Sequence, residues 1–196
     1  MGSHLIDLPW WALQLTEPLT AAAEGPEPDP LKNPEWMHAT WKHAPRPGND
    51  SLNAPVSLHW WHGGQEPQYR PKVDLPEDLT KWFNGILFIG EKGILLADYG
   101  RLKLFPEEQF KDFTPPPQTL PPSLGHHKEW TEAAKGRGKT LCNFEYSGSL
   151  VEHNLLGNVA FRAGKELQWD PKALKATNCP KADQFIRREY RKGWTV

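Results

Sequence analysis

The chain has 196 residues, with 23 basic and 24 acidic side chains and a formal net charge of −1, so nothing electrostatic favours nucleic acid or an anionic membrane surface as partner. Two cysteines, Cys142 and Cys179, are too few for a disulfide framework or a four-cysteine zinc site. Ten Trp, eight Phe and four Tyr supply enough ring area for a packed core, while 20 Pro and 16 Gly make the chain rich in loops. No apolar run approaches the roughly 18 residues of a membrane span, and no charged-then-apolar leader opens the chain, so a cytoplasmic location is expected.

Apolar residues Leu5, Leu8, Trp11 or Ala12, and Leu15 recur at helical spacing, with Pro9 inside the run predicting a kink or a late start. Residues 24–34 carry Pro26, Pro28, Pro30 and Pro34, which forbid regular structure. The segment 36–43 alternates. Trp36, His38, Thr40 and Lys42 share one face, and Met37, Ala39, Trp41 and His43 the other. A strand over 55–62 follows, closed by Gly63-Gly64. Apolar runs at 85–89 and 94–97 flank Gly90-Glu91-Lys92-Gly93 and predict a hairpin with a four-residue turn. Residues 102–105 read as a third strand, and such short connections imply antiparallel pairing.

A second Pro-rich crossing occupies 114–122. Helical character then takes over. Residues 126–135 end at Gly136, and 149–167 is the strongest helix pattern. In the latter, Ser149 and Glu152 form a capping box, Val151, Leu155, Val159 and Ala163 step by four with Leu156 and Ala160 beside them as one buried stripe, and His153 reads as surface. A last helix is predicted over 181–191, with Phe185 facing the core. Strands first and helices later describe a single α+β domain over 1–196, a mostly antiparallel open sheet with helices on one face. Trp36, Trp41, Trp60 and Trp61 are too many rings for a solvated sheet face, which predicts a homodimer or higher homo-oligomer through that face.

Phosphate-binding signatures are absent: no G-x-G-x-x-G and no complete P-loop occurs, and Gly136-Arg137-Gly138-Lys139-Thr140 reads as a basic turn. No G-x-S-x-G elbow occurs either. The histidines carry what chemistry there is. His59 and His62 bracket Trp60-Trp61, and three residues apart on a strand they face opposite sides. His126-His127 opens a helix, where the dipole favours a neutral imidazole. A metal site from His4, Asp7, His62 and His126 is conceivable in three dimensions, but no ligand spacing specifies it.

From Gly2 onward the chain resembles the carboxy-terminal half of a bacterial oxidoreductase of the glucose–fructose oxidoreductase, inositol dehydrogenase and MocA (Gfo/Idh/MocA) family. The resemblance rests on Gly2-Ser3-His4-Leu5-Ile6-Asp7 with Pro9-Trp10-Trp11-Ala12-Leu13, on Gly90-Glu91-Lys92-Gly93 with Leu96-Ala97-Asp98-Tyr99-Gly100, and on His126-His127-Lys128-Glu129-Trp130. It continues through Cys142-Asn143-Phe144-Glu145-Tyr146, Leu155-Leu156-Gly157-Asn158-Val159-Ala160, Leu167-Gln168-Trp169-Asp170 and the terminal run from Ile186 to Trp194. It implies the antiparallel sheet with helices on one face, and packing of the open sheet face against another subunit. The family's catalytic stretch reads G-D-x-G-x-H-x-x-D, of which residues 2–7 match only the end. His4 then takes the place of the proton-transferring histidine, and Asp7 stands three residues beyond it. The family's Gly-rich cofactor domain has no counterpart in these 196 residues.

The expected function is therefore that of a substrate-side and oligomerisation domain, without redox competence alone. NAD(P) belongs to a full-length relative and no cofactor to this chain. A stand-alone hydrolase acting on a lactone, ester or glycoside is the alternative, with His4, Asp7, His126 and His127 as catalytic candidates and a divalent ion as a compatible helper. A carbohydrate-binding module using Trp faces for a sugar ligand is the second alternative.

Overall fold

The computed structural model describes residues 2–46, 53–63, 82 and 84–194, so that Gly64, expected to close a strand, lies outside the described residues. The chain divides into two compact units, Met1–Val73 with Ser149–Val196, and Asp74–Gly148. The class is mixed α+β, with two open antiparallel sheets of five and three strands.

The first unit is built on the five-stranded sheet. Its strands are β1 (Thr20–Glu24), β2 (Met37–His43), β3 (Val56–His62), β7 (Leu167–Asp170) and β8 (Lys175–Ala176), in the order β3-β2-β1-β7-β8. All four pairings are antiparallel. The alternation read from 37–43 holds. Met37, Ala39, Trp41 and His43 are buried, whereas His38, Thr40 and Lys42 lie on the other face. Because a strand sends successive side chains to opposite sides, pairing carries that division across the sheet. Leu58 and Trp60 of β3 lie on the inner side with Trp41 and Ala39, their partners in register, and His59 and Trp61 lie on the outer side.

Two helices cover the inner face, α1 (Gly2–Ala12) and, from Ser149 onward, α3 (Phe144–Ala163). Trp10 of α1 meets His43 and His153 edge-on or tilted, with ring centroids at 6.1 and 5.1 Å. On α3, Gly157 sits against the Trp41 ring and the Ala39 methyl. Helix and sheet approach closely because the meeting residues are small: Ala21, Ala39 and Ala160 are each 0% exposed. A Cβ built at Gly157 would stand 2.6 Å from Trp41 Cζ2 and 3.4 Å from Ala39 Cβ. The indole is itself buried and cannot swing aside. Gly157→Ala is therefore expected to destabilise the chain by about 1–3 kcal/mol through overpacking, partly offset by the roughly 1 kcal/mol that alanine gains in a helix. Urea denaturation giving a variant more stable than the parent would overturn this.

Several sequence expectations shift. The long helix is α3, running from 144 to 163, and Leu167 belongs to strand β7. Its buried stripe is Leu150, His153, Leu156, Gly157, Val159, Ala160 and Phe161. Val151 and Leu155 are 45% and 54% exposed, and His153, read as surface, is buried at 1%. Val159, Leu156 and Ala160 of the expected stripe are buried, but its Val151 and Leu155 face outward, because the sheet is met on the other flank by Gly157 and the His153 imidazole. Glu152 accepts the Trp169 Nε1 proton at 3.0 Å and caps nothing. Similarly, α1 buries Leu5, Ile6, Pro9 and Trp10, leaving Leu8 and Trp11 exposed. The predicted terminal helix shrinks to a 3-10 turn (Pro180–Ala182) and α4 (Asp183–Ile186), after which the chain is extended at Arg187. Strands β1, β7 and β8 were missed: Thr-Ala-Ala-Ala-Glu has little β-propensity and becomes a strand through its neighbours on both sides.

The second unit contains a meander of β4 (Ile86–Ile89), β5 (Ile94–Ala97) and β6 (Leu102–Phe105), as the hairpin signal predicted. The Gly90 N–H donates to the Gly93 carbonyl at 2.9 Å, closing the four-residue turn. Gly93 is required there, since a Cβ would come within 2.6 Å of both the Phe105 carbonyl oxygen and the Phe110 ring. In the next turn the Asp98 carboxylate accepts from the Gly100 and Arg101 amides and pairs with the Arg101 guanidinium, which stacks over Trp82 at 4.0 Å. Helix α2 (His126–Ala134) ends before Gly136, whose φ of +72° suits the residue beyond a helix end.

Candidate functional site

The residues expected to act together fall into the two units. His4 and Asp7 lie three apart on α1 of the first unit, both exposed. His126 and His127 open α2 in the second unit, also exposed, with ring centroids 4.1 Å apart. Among the described residues no three His, Cys, Asp or Glu side chains gather as metal ligands. His62 lies on the inner side of β3, and its Nδ1 accepts the Trp60 Nε1 proton at 3.2 Å. His59 faces the opposite way, as the three-residue spacing required.

What the fold does assemble is a group on the outer face of the five-stranded sheet. His38 stands opposite Trp61 in the β2–β3 register, and Thr40 opposite His59. The Trp61 indole lies nearly parallel to both imidazoles, 6° and 4.6 Å from His38, 12° and 5.4 Å from His59. Under it, His38 Nε2 and His59 Nδ1 are 3.1 Å apart, one donating its proton to the other. The Thr40 hydroxyl lies 3.3 Å from the first nitrogen and 3.2 Å from the second. Partial burial lowers both imidazole pKa values from the usual range. Glu24, opposite His38 on β1, pulls that value partly back up, whereas the His38 charge pushes His59 further down. Both rings are thus held neutral near pH 7, with lone pairs to offer. Lys42, further along the same face, is paired with Glu166 at 3.1 Å.

A second histidine pair lies inside. His43 and His153 are 2% and 1% exposed, with near-parallel rings 5.2 Å apart between Trp10 and Trp41. His43 Nδ1 donates to the Thr16 carbonyl at 2.8 Å, and His153 Nδ1 donates to Asn154 Oδ1 at 3.1 Å. Those bonds fix each ring as a neutral tautomer with its bare nitrogen at Nε2. Burial drives the His43 pKa down to about 4 and that of His153 to about 3. This pair is core, and it does not reach solvent.

Of Trp36, Trp41, Trp60 and Trp61, only some were expected on the assembly face, and the strand tryptophans do divide between the two faces. Trp41 is buried and Trp60 lies on the same inner side, whereas Trp61 stands on the outer side. Sequence reasoning singled out His59 and set it on the opposite face from His62, as it is, but gave it no partner. His38 could have been set beside it only by knowing the β2–β3 register.

No family model matches the chain, and a search of curated proteins finds no match to it.

Proposed function

We propose that the chain is the substrate-side and assembly domain of a Gfo/Idh/MocA-type oxidoreductase, without redox competence of its own. The observation that carries the reading is the one-sided layer: α1 and α3 cover the inner face of the five-stranded sheet, and the outer face presents Trp61 with His38 and His59. This is the architecture that the resemblance implies for a domain whose open sheet face meets another subunit. The residues around His4, and residues 155–160 and 167–170, are among those that carry the resemblance. In this reading His4, exposed on the first turn of α1, would hold and move the substrate's proton, and a nicotinamide in the cofactor domain of the whole enzyme would supply the hydride acceptor. Asp7 lies on the same side of the helix. The 196 residues hold no Gly-rich turn for a pyrophosphate, and no side chain can take the place of a hydride acceptor.

Two measurements test this. Calorimetry with NAD and NADP on the chain alone is expected to give no binding at micromolar concentration, and a micromolar affinity would refute the reading. Sedimentation equilibrium in the presence of a chelator is expected to show a homodimer or larger homo-oligomer that Trp61→Ala shifts toward monomer. A parent that stays monomeric at every concentration would remove the assembly role.

A further inference from the structure

We propose that His38, His59 and Thr40 on the outer sheet face form a binding site for one divalent transition-metal cation of the Zn2+ or Cu2+ kind. The argument starts from spacing. Two nitrogen ligands on a tetrahedral zinc ion, each at 2.0–2.1 Å, stand about 3.3 Å from each other. His38 Nε2, His59 Nδ1 and Thr40 Oγ1 form a triangle with sides of 3.1, 3.2 and 3.3 Å. Three donor atoms are thus already spaced as the ligands of one ion are, and a proton now holds the two nitrogens together.

The rest of the site favours a cation in that proton's place. Each ring has a second nitrogen that can carry the hydrogen, so both facing nitrogens become lone-pair donors by a change of tautomer, with no change of charge. The parallel indole of Trp61 limits the tilt of both rings, which lowers the ordering cost of binding. The exposed carboxylate of Glu24, in register with His38, supplies negative charge, and Lys42 on the same face is partnered by Glu166. Two imidazoles and a neutral oxygen suit zinc and copper and are poor ligands for magnesium or calcium, which take oxygen-rich shells. The site lies within the first unit and stands whether or not the sheet face carries a second copy.

Calorimetric titration of the full chain, stripped of metal beforehand, with ZnCl2 and separately with CuCl2 tests the proposal. One ion per chain is expected at sub-millimolar concentration, with copper bound more tightly than zinc. His38→Ala and His59→Ala are each expected to weaken binding by more than about tenfold, the scale on which even outer partners of a metal act. The double variant His126→Ala/His127→Ala should bind as the parent does. His59→Gln, which keeps the size and a polar end, tests the same loss if alanine impairs folding by circular dichroism. Copper should also quench indole emission in the parent through the stacked Trp61, and His38→Ala and His59→Ala should lose that quench along with the affinity. No binding heat with either ion, or undiminished binding in both the His38 and His59 variants, would overturn the site.

Discussion

Acidifying the protein from pH 7 to pH 5 should cost it about 4 kcal/mol of stability, roughly 2 kcal/mol from each of His43 and His153. Both imidazoles are buried and neutral, with pKa values lowered to about 4 and about 3. In the unfolded chain each returns to about 6.5. Above that value neither state binds the proton, and the stabilisation is fully present. As the pH falls below about 6.5 the unfolded chain takes up two protons that the folded chain refuses, so the balance moves toward unfolding until the folded values are reached near 4 and 3. Near-parallel rings 5.2 Å apart make a second proton costlier than the first. Urea denaturation across pH 5–8 is the measurement. Replacing His153 by Gln should halve the slope of stability against pH below 6.5, whatever the substitution costs at pH 8. A curve flat from pH 7 to 5, or an unchanged slope in the variant, would show that these rings titrate normally.

Truncating Trp41 to Ala is expected to remove about 3–5 kcal/mol, a large share of what a domain of this size possesses. The ring is 2% exposed, stacks on His153 at 4.3 Å and lies against the backbone of Gly157. Its removal opens a void bounded by a strand and a helix, neither of which can collapse into it without breaking β2 pairing or bending α3. Trp41→Phe keeps most of the volume and should cost less than half as much. Denaturation midpoints of the two variants measured together decide the matter, and equal losses would mean that the site relaxes around either residue. The same change should flatten the acid sensitivity, because water admitted beside His153 eases its protonation in the folded state and narrows the gap to the unfolded value.

Much of the architecture was legible in short-range pattern. The hairpin at Gly90–Gly93, the alternation over 37–43 and the helix starting at His126 each depend on residues within a few positions of one another. The helix phase of α3 was legible in part: Leu156, Val159 and Ala160 are buried as read, whereas Val151 and Leu155 are exposed. A stripe of large aliphatics usually marks the buried side, but here the sheet is approached through Gly157 and Ala160, with His153 filling the gap beside Trp41. The candidate site was half legible. The histidines and Trp61 were visible as residue types on strands, while the contact between His38 and His59 depends on a register set across the loop between β2 and β3. His4 and His126-His127 stood out through resemblance and position in a helix, signals that carry no information about which strand face they would meet.

The pairing of β1 with β7 places Thr20 beside Gln168 and Ala21 beside Leu167, and this sets an order of events during synthesis. The meander β4-β5-β6 draws all its partners from residues 86–105 and can close as soon as that stretch has left the ribosome. The larger sheet must wait. Strands β1 to β3 emerge first, but the central β1 stays half-paired until residues 167–168 have been made, and the loop closed by that contact carries a long-range entropic cost. During this interval the inner face, with Trp41 and His43, has no α3 to cover it. The smaller unit is thus expected to mature while the larger one is still an exposed half-sheet, and that half-sheet is the species on which a holding chaperone would act.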